Sequence, residues 1–109
     1  MFGTVKEIDA PQLAKMMEEQ RADLRVVDVR QPQEHATGVV PGAELLPLHL
    51  LPMKLADYVR EHTYVIVCRS GNRSAQACMF MQQQGFDKVL NLRGGMLAWA
   101  QSGLPAVAP

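Results

Sequence analysis

The chain has 109 residues, 48% of them apolar and 20% charged, and its 11 basic and 11 acidic side chains balance to a formal net charge of zero. This length and composition predict a single soluble globular domain over residues 1–109. Balanced charge without a basic cluster argues against a nucleic-acid partner, and no apolar run of about 18 residues is present to span a membrane.

In chain order, strands are predicted over 4–8, 25–29, 43–46, 64–67 and 88–90, and helices over 11–21, 48–59, 74–84 and 96–101, with one helical turn within 31–37. Because strands alternate with helices, we predict an α/β fold with a mostly parallel sheet of about five strands and helices on both faces. Ligands of such sheets bind beyond the carboxyl ends of the strands. The loops after Val29 and Val67 are therefore the places to look for a site.

Several single residues carry further expectations. Leu13 recurs with Met16 and Met17 at helical spacing, which is typical of a core-facing stripe. Gly85 is placed to end a helix in the left-handed conformation. Trp99, the single tryptophan, is expected in the core.

Cysteine and histidine usage gives expectations about compartment and metals. Cys68 and Cys78 are too few for a disulfide framework, and residues 1–9 alternate in polarity instead of forming the apolar part of a signal peptide. We therefore expect a cytoplasmic protein with free thiols. The three histidines lack metal-ligand spacing, so we expect them on the surface or in loops and expect no metal. They are His35, His49 and His62.

The loop after the 64–67 strand carries the strongest chemical signal. It reads Cys68-Arg69-Ser70-Gly71-Asn72-Arg73-Ser74 and leads directly into a predicted helix. Unpaired amides and the positive end of a helix stabilise an anion, and two arginines add positive charge, so the Cys68 thiol is expected to ionise readily. Gly71 allows the loop to curl into a ring of inward-pointing amides. Cys78 is interpreted as an ordinary buried thiol.

The order of motifs resembles the rhodanese-like sulfurtransferases, in particular the small single-domain type. Val26-Val27-Asp28-Val29-Arg30 with Glu34-His35, followed by Gly38-Val39-Val40-Pro41-Gly42-Ala43, is similar to the first signature of the family. Val40 stands where the family usually has Ile. The loop from Cys68 to Ser74 is similar to the active-site signature, and Leu92-Arg93-Gly94-Gly95-Met96 with Trp99 resembles the C-terminal one.

This resemblance implies a persulfide cycle without a cofactor. Cys68 would take the outer sulfur of a donor such as thiosulfate and pass it to a thiophilic acceptor, cyanide or a thiol. The loop residues Ser70, Gly71, Asn72 and Ser74 would form the anion-binding cradle around the sulfur. Arg69, with Arg73 as a second candidate, would attract the dianionic donor and offset the charge of departing sulfite.

Two other functions stay open at this point. A cysteine-dependent phosphatase or arsenate reductase uses a similar cradle, but such loops place five residues between Cys and Arg, whereas four separate Cys68 from Arg73 here. A persulfide carrier that serves a protein partner would have the same intact loop, so the sequence does not distinguish it from an enzyme.

Asp28 and Arg30 end the other strand that points at the site. They either support the site, Asp28 by orienting loop groups and Arg30 by its positive charge, or form a local ion pair that fixes the end of the strand. For Arg30 we favour the ion pair, and for Asp28 the two interpretations are balanced.

Overall fold

The computed structural model describes residues 4–109. Five strands form one sheet with the order β1-β5-β4-β2-β3, and every strand pairing is parallel. The strands are β1 (Glu7–Ile8), β2 (Leu24–Asp28), β3 (Glu44–Leu45), β4 (Thr63–Val67) and β5 (Val89–Leu92). The predicted α/β class with a five-stranded parallel sheet is confirmed.

The helices are α1 (Ala10–Glu18), α2 (Pro32–His35), α3 (Leu51–Lys54), α4 (Asn72–Gln83) and α5 (Gly95–Gln101). Asp9 caps α1 by accepting the Gln12 amide proton at 2.8 Å, while the Gln12 side chain accepts the Asp9 amide proton at 2.8 Å. Such a reciprocal cap satisfies two amides that a helix start leaves unpaired. No helix among residues 4–109 is long and apolar enough to cross a membrane.

The helices cover the two faces of the sheet and create two cores. On β4, Tyr64 and Ile66 face one core together with Cys68, and Val65 and Val67 face the other. This alternation is the period-two geometry of a strand. The first core also contains α4 residues, and the second contains Leu13 of α1 and Trp99 of α5. Both faces are therefore buried, as predicted for a central parallel strand.

Several predicted boundaries are wrong. The single helix expected over 48–59 is instead three short pieces, a 3₁₀ turn at Leu48–Leu50, then α3, then a second 3₁₀ turn at Leu55–Asp57. Pro52 has no amide proton, so it cannot make the hydrogen bond to the Leu48 carbonyl that a continuous helix over 48–59 would need.

Other differences arise from pairing and chain reversal. The first strand has two residues instead of five, because it pairs with β5 only at Glu7 and Ile8. The helix α1 ends at Glu18, before Gln20 turns to φ +52°. Gly85 follows α4 with φ +92°, which confirms the left-handed helix end.

Candidate functional site

The Cys68 side chain lies at the junction of β4 and α4. Gly71, at φ +107°, reverses the loop and occupies the N-cap position of α4, so the helix begins two residues earlier than predicted, at Asn72. The Cys68 sulfur is buried and accepts the Gly71 amide proton at 3.0 Å. The Ser74 hydroxyl oxygen lies 3.3 Å from the same sulfur. The sulfur therefore faces an amide of the loop and a hydroxyl group of the first turn of α4.

The surroundings of Cys68 favour its thiolate. Burial by itself raises the pKa of the thiol. The Ser74 hydroxyl and the backbone amides of Ser74, Gly71 and Ser70 act in the opposite direction, and together they bring the pKa below its ordinary value. Hydrogen bonds to the charged form have this effect on any acid. Of the loop residues predicted to form the cradle, Ser70, Gly71 and Ser74 contribute amides to this effect.

Cys78 has the opposite character. It is fully buried on the α4 face that packs against the sheet. Burial, followed by the negative charges of Glu7 and Cys68, raises the pKa of the Cys78 thiol to about 12. Both cysteines are free thiols. Cys78 remains protonated at neutral pH, which agrees with its interpretation as a structural residue.

Arg73 does not point its charge at open solvent. Both of its terminal nitrogens donate to the Glu34 carboxylate at 2.7 Å. The Arg73 hydrogen bonds hold the pKa of the Glu34 carboxyl at about 2, so the pair is ionised at neutral pH. This partner, on α2, was not predicted to hold Arg73. The charge of Arg73 is therefore already balanced before any donor arrives.

Arg69 lies on a cleft of about 410 Å³ next to the loop. Glu34 also lines the cleft, as do Met96, Leu97 and Trp99 from α5. The cleft adjoins the loop, because Arg69 belongs to both, but the Cys68 side chain is not among the residues that line it. Three charged side chains line the cleft, and Arg69 alone of these has no ion-pair partner in the described part of the chain.

Asp28 and Arg30 form the local ion pair that was one of the two interpretations. Arg30 Nε and Nη2 donate to Asp28 at 3.0 and 2.8 Å, and both side chains are buried. His35 Nε2 lies 3.3 Å from Asp28 Oδ1 without the alignment of a hydrogen bond. His35 is buried, so the expectation that all three histidines are on the surface or in loops is wrong. Within residues 4–109, no hydrogen bond joins Asp28 or Arg30 to Cys68.

The adjacent glycines Gly94 and Gly95 allow the start of α5 to pack against the loop that begins at Cys68. A β-carbon on Gly95 would collide with the Cys68 carbonyl oxygen and come within 2.6 Å of the Arg69 carbonyl oxygen. Gly95 also has φ +55°, which L side chains rarely adopt. The sequence predicted that this glycine pair interrupts regular structure before the last helix, and it did not predict the contact of Gly95 with the Cys68 and Arg69 carbonyls. Two adjacent glycines were the available signal.

Ser74 and Asn91 form a buried polar pair behind the sulfur. Ser74 Oγ donates to Asn91 Oδ1 in a short hydrogen bond, and both side chains are at most 1% exposed. Asn91 Nδ2 donates to the Gly71 carbonyl at 3.1 Å and to Glu7 Oε2 at 2.9 Å. Sequence reasoning missed Asn91 and Glu7. A polar residue in the middle of an otherwise apolar strand was the only signal for Asn91.

In residues 4–109 there is no group of three or more His, Cys, Asp or Glu side chains that could hold a metal ion. The residues brought together at the site are instead one thiol, amides, one hydroxyl and arginines. This set can stabilise a sulfur anion and attract an anionic substrate.

Comparisons with known proteins give the family. Residues 9–102 match the model of the Rhodanese-like domain. A sulfurtransferase of Allochromatium vinosum is 48% identical over 105 residues, which cover 96% of this chain and 97% of that protein. The putative sulfurtransferase YtwF of Bacillus subtilis is 37% identical and is matched over 87% of this chain and 90% of its own length.

A solved structure gives the same result. The crystal structure of a rhodanese-related protein from Thermoplasma volcanium matches with a TM-score of 0.85 at 30% identity, covering 95% of this chain and 99% of that one. The resemblance seen in the three sequence motifs is therefore confirmed by the whole chain and by its fold. This chain belongs to the family of rhodanese-like domains, and its relatives include sulfurtransferases.

Proposed function

We propose that the protein is a sulfurtransferase that moves sulfane sulfur, from a donor such as thiosulfate, through a persulfide on Cys68. One observation carries the proposal. The Gly71 amide nitrogen and the Ser74 hydroxyl oxygen lie 3.0 and 3.3 Å from the Cys68 sulfur, and the pKa of the Cys68 thiol is below its ordinary value. A thiolate is the nucleophile that this chemistry needs.

The proposed cycle consists of two displacements at sulfur. The Cys68 thiolate attacks the outer sulfur of thiosulfate, a new S–S bond forms, and the bond to the sulfonate breaks with its electron pair leaving on sulfite. An acceptor thiolate then attacks the outer sulfur of the Cys68 persulfide. The Cys68 thiolate leaves, ready for another cycle, so the protein undergoes no net redox change. The loop amides stabilise the negative sulfur in each state.

The cleft beside the loop supports an acceptor larger than cyanide. Its volume of about 410 Å³ exceeds what a diatomic anion requires, and α5 contributes the apolar side chains of Met96, Leu97 and Trp99 to its lining. Clefts of this size bind organic molecules. Arg69 supplies a positive charge without an ion-pair partner on the described chain. We infer an organic thiol acceptor with an apolar body and an anionic group.

A persulfide carrier is the second candidate, because the same cleft could receive a thiol that belongs to a protein. The two candidates differ in turnover. An enzyme releases sulfite repeatedly when thiosulfate and a small thiol are both present, whereas a carrier is loaded once and transfers its sulfur rapidly only to a protein thiol.

Mass spectrometry after thiosulfate treatment tests the proposal. We expect a gain of about 32 Da, one sulfur atom, on the peptide that contains Cys68. Cys68→Ser should show no gain, and the matched variant Cys78→Ser should be loaded like the wild type. A wild-type protein that gains no sulfur from thiosulfate or from an organic persulfide, or gains it on Cys78 alone, would contradict the proposal. Tight phosphate binding together with such failure would favour the phosphatase class.

A further inference from the structure

The amide of Asn91 has its orientation fixed by its surroundings. Its nitrogen faces two acceptors, the Gly71 carbonyl at 3.1 Å and the Glu7 carboxylate at 2.9 Å. Rotating the amide by half a turn would place its oxygen against both of these oxygens. The amide oxygen must therefore face Ser74, where it can only accept a proton.

Asn91 thereby connects Glu7, on β1 at the sheet edge, to the two groups beside the sulfur, the Gly71 peptide and the Ser74 hydroxyl. Gly71, whose amide proton points at the Cys68 sulfur, has its carbonyl held by Asn91. The Ser74 hydroxyl oxygen lies 3.3 Å from the sulfur, and its one proton is accepted by the oxygen of the same amide. Asn91 makes no hydrogen bond to the sulfur itself.

We propose that Asn91 is a positioning residue for Cys68, which sets the Gly71 amide against the sulfur and holds the Ser74 hydroxyl beside it, and that the Glu7 carboxylate orients Asn91. The relevance to sulfur transfer rests on the function proposed above. The effect on the Cys68 sulfur does not, because it concerns the ionisation of the thiol alone.

Because Ser74 and Asn91 are buried, replacing Asn91 should have a large effect on the pKa of the Cys68 thiol. Ser74 is fully buried and Asn91 is 1% exposed, so no solvent replaces a lost partner. A buried polar group that loses its partner has no alternative hydrogen bond, and the loop would rearrange to find one. Glu7 is the exposed end of the connection, where it also contacts Arg93 at 3.3 Å.

The charged and titratable groups around Cys68 stay the same when Asn91 is replaced. Arg73 remains paired with Glu34 on α2, and Asp28 remains paired with Arg30 after β2. The Cys78 thiol on α4, Glu7 on β1 and Arg69 in the loop are also unaltered. A change in the ionisation of Cys68 would therefore report the donors and not a new charge.

The test is the pH dependence of Cys68 alkylation by iodoacetamide, followed on the Cys68 peptide by mass spectrometry. For Asn91→Leu, which is similar in shape and cannot hydrogen-bond, we expect the apparent pKa of Cys68 to rise by about 1. The alkylation rate near neutral pH should then fall by up to about tenfold, as expected when the Gly71 amide loses its alignment with the charged sulfur. Thermal unfolding shows whether the variant is folded.

Because Glu7 is exposed, two matched variants at this position test the same connection without disturbing the core. Glu7→Gln and Glu7→Ala both remove the charge, but only Gln retains an oxygen that can accept the Asn91 proton. We expect Glu7→Ala to be alkylated about threefold more slowly than Glu7→Gln at neutral pH. If Asn91→Leu does not fold, this pair decides the matter alone.

Three results would overturn the inference. One is a folded Asn91→Leu protein with the wild-type pH profile, and another is equal profiles for the two Glu7 variants. The third is a fall in the apparent pKa of Cys68 in Asn91→Leu, which would show that the Ser74 proton released from Asn91 outweighs the lost alignment of the Gly71 amide. A wild type that accepts no sulfur while the alkylation shifts occur would reject the proposed function and leave this inference standing.

Discussion

Replacing Gly95 with alanine is expected to separate α5 from the Cys68 loop. The amides of Met96 and Leu97 donate to the Cys68 and Arg69 carbonyls at 2.9 and 3.1 Å, and these are the oxygens that an added β-carbon would strike. Neither oxygen belongs to a flexible side chain that could move aside. The helix or the loop must shift, and the shift would move the backbone of Cys68 and Arg69.

The size of the effect follows from two contributions. A left-handed backbone with a side chain is unfavourable by about 1–2 kcal/mol. Each of the two hydrogen bonds that the collision weakens contributes about 0.5–1.5 kcal/mol. We therefore expect Gly95→Ala to lose about 2–5 kcal/mol, with the melting temperature falling by about 4–8 °C for each kcal/mol in a domain of this size.

Gly103 is the matched control. Its φ is +71°, and a β-carbon there would have no atom within 4 Å, so Gly103→Ala should lose only the conformational part, about 1–2 kcal/mol. Urea unfolding of both variants measures the difference, and mass spectrometry after thiosulfate treatment measures loading of Cys68. Equal losses of stability, with normal loading in Gly95→Ala, would refute the reasoning.

Three further outcomes are expected. The Glu34 carboxyl has its pKa lowered from 4.5 to about 2, so its stabilisation is complete above about pH 4.5 and is lost as the pH falls toward 2. Urea unfolding should thus show a smaller deficit for Glu34→Gln at pH 3 than at pH 7, and an unchanged deficit would contradict this. Arg69→Ala should mainly raise the KM for thiosulfate, whereas Arg73→Ala should mainly lower kcat by leaving the Glu34 carboxylate unpaired beside the loop; equal kinetics in both variants would contradict the distinction. Iodoacetamide at neutral pH should label Cys68 and spare Cys78, whose pKa is about 12, and labelling of Cys78 first would overturn that assignment.

The pattern of consecutive residues was enough to predict the parallel sheet and the position of Cys68 between β4 and α4. The apolar run before Cys68 and the glycine after it determine a strand, a tight turn and a helix start, which are properties of consecutive residues. The partners of the site are different, because they come from distant parts of the chain. Glu34 is 39 residues from Arg73, and no periodicity indicates that the two carboxylate oxygens meet this guanidinium.

Residues 48–59 show a second reason why structure could not be fully predicted from the sequence. Its apolar residues recur at helical spacing, yet the chain forms short turns because backbone hydrogen bonding is interrupted at proline. Asn91 shows a third reason. Its amide is buried among groups of β1, the loop and α4, and only the assembled sheet brings those groups together.

The depth of the Cys68 sulfur has a consequence for regioselectivity. Only 1% of the residue is exposed, and donors already surround its sulfur. In a Cys68 persulfide the inner sulfur would thus be shielded from an incoming thiol, and the outer sulfur would be the accessible electrophile. Attack at the inner sulfur would release hydrosulfide and leave the acceptor joined to the protein as a mixed disulfide. Such adducts should be absent from acceptor-treated protein, and their accumulation on Cys68 would show that burial does not direct the attack.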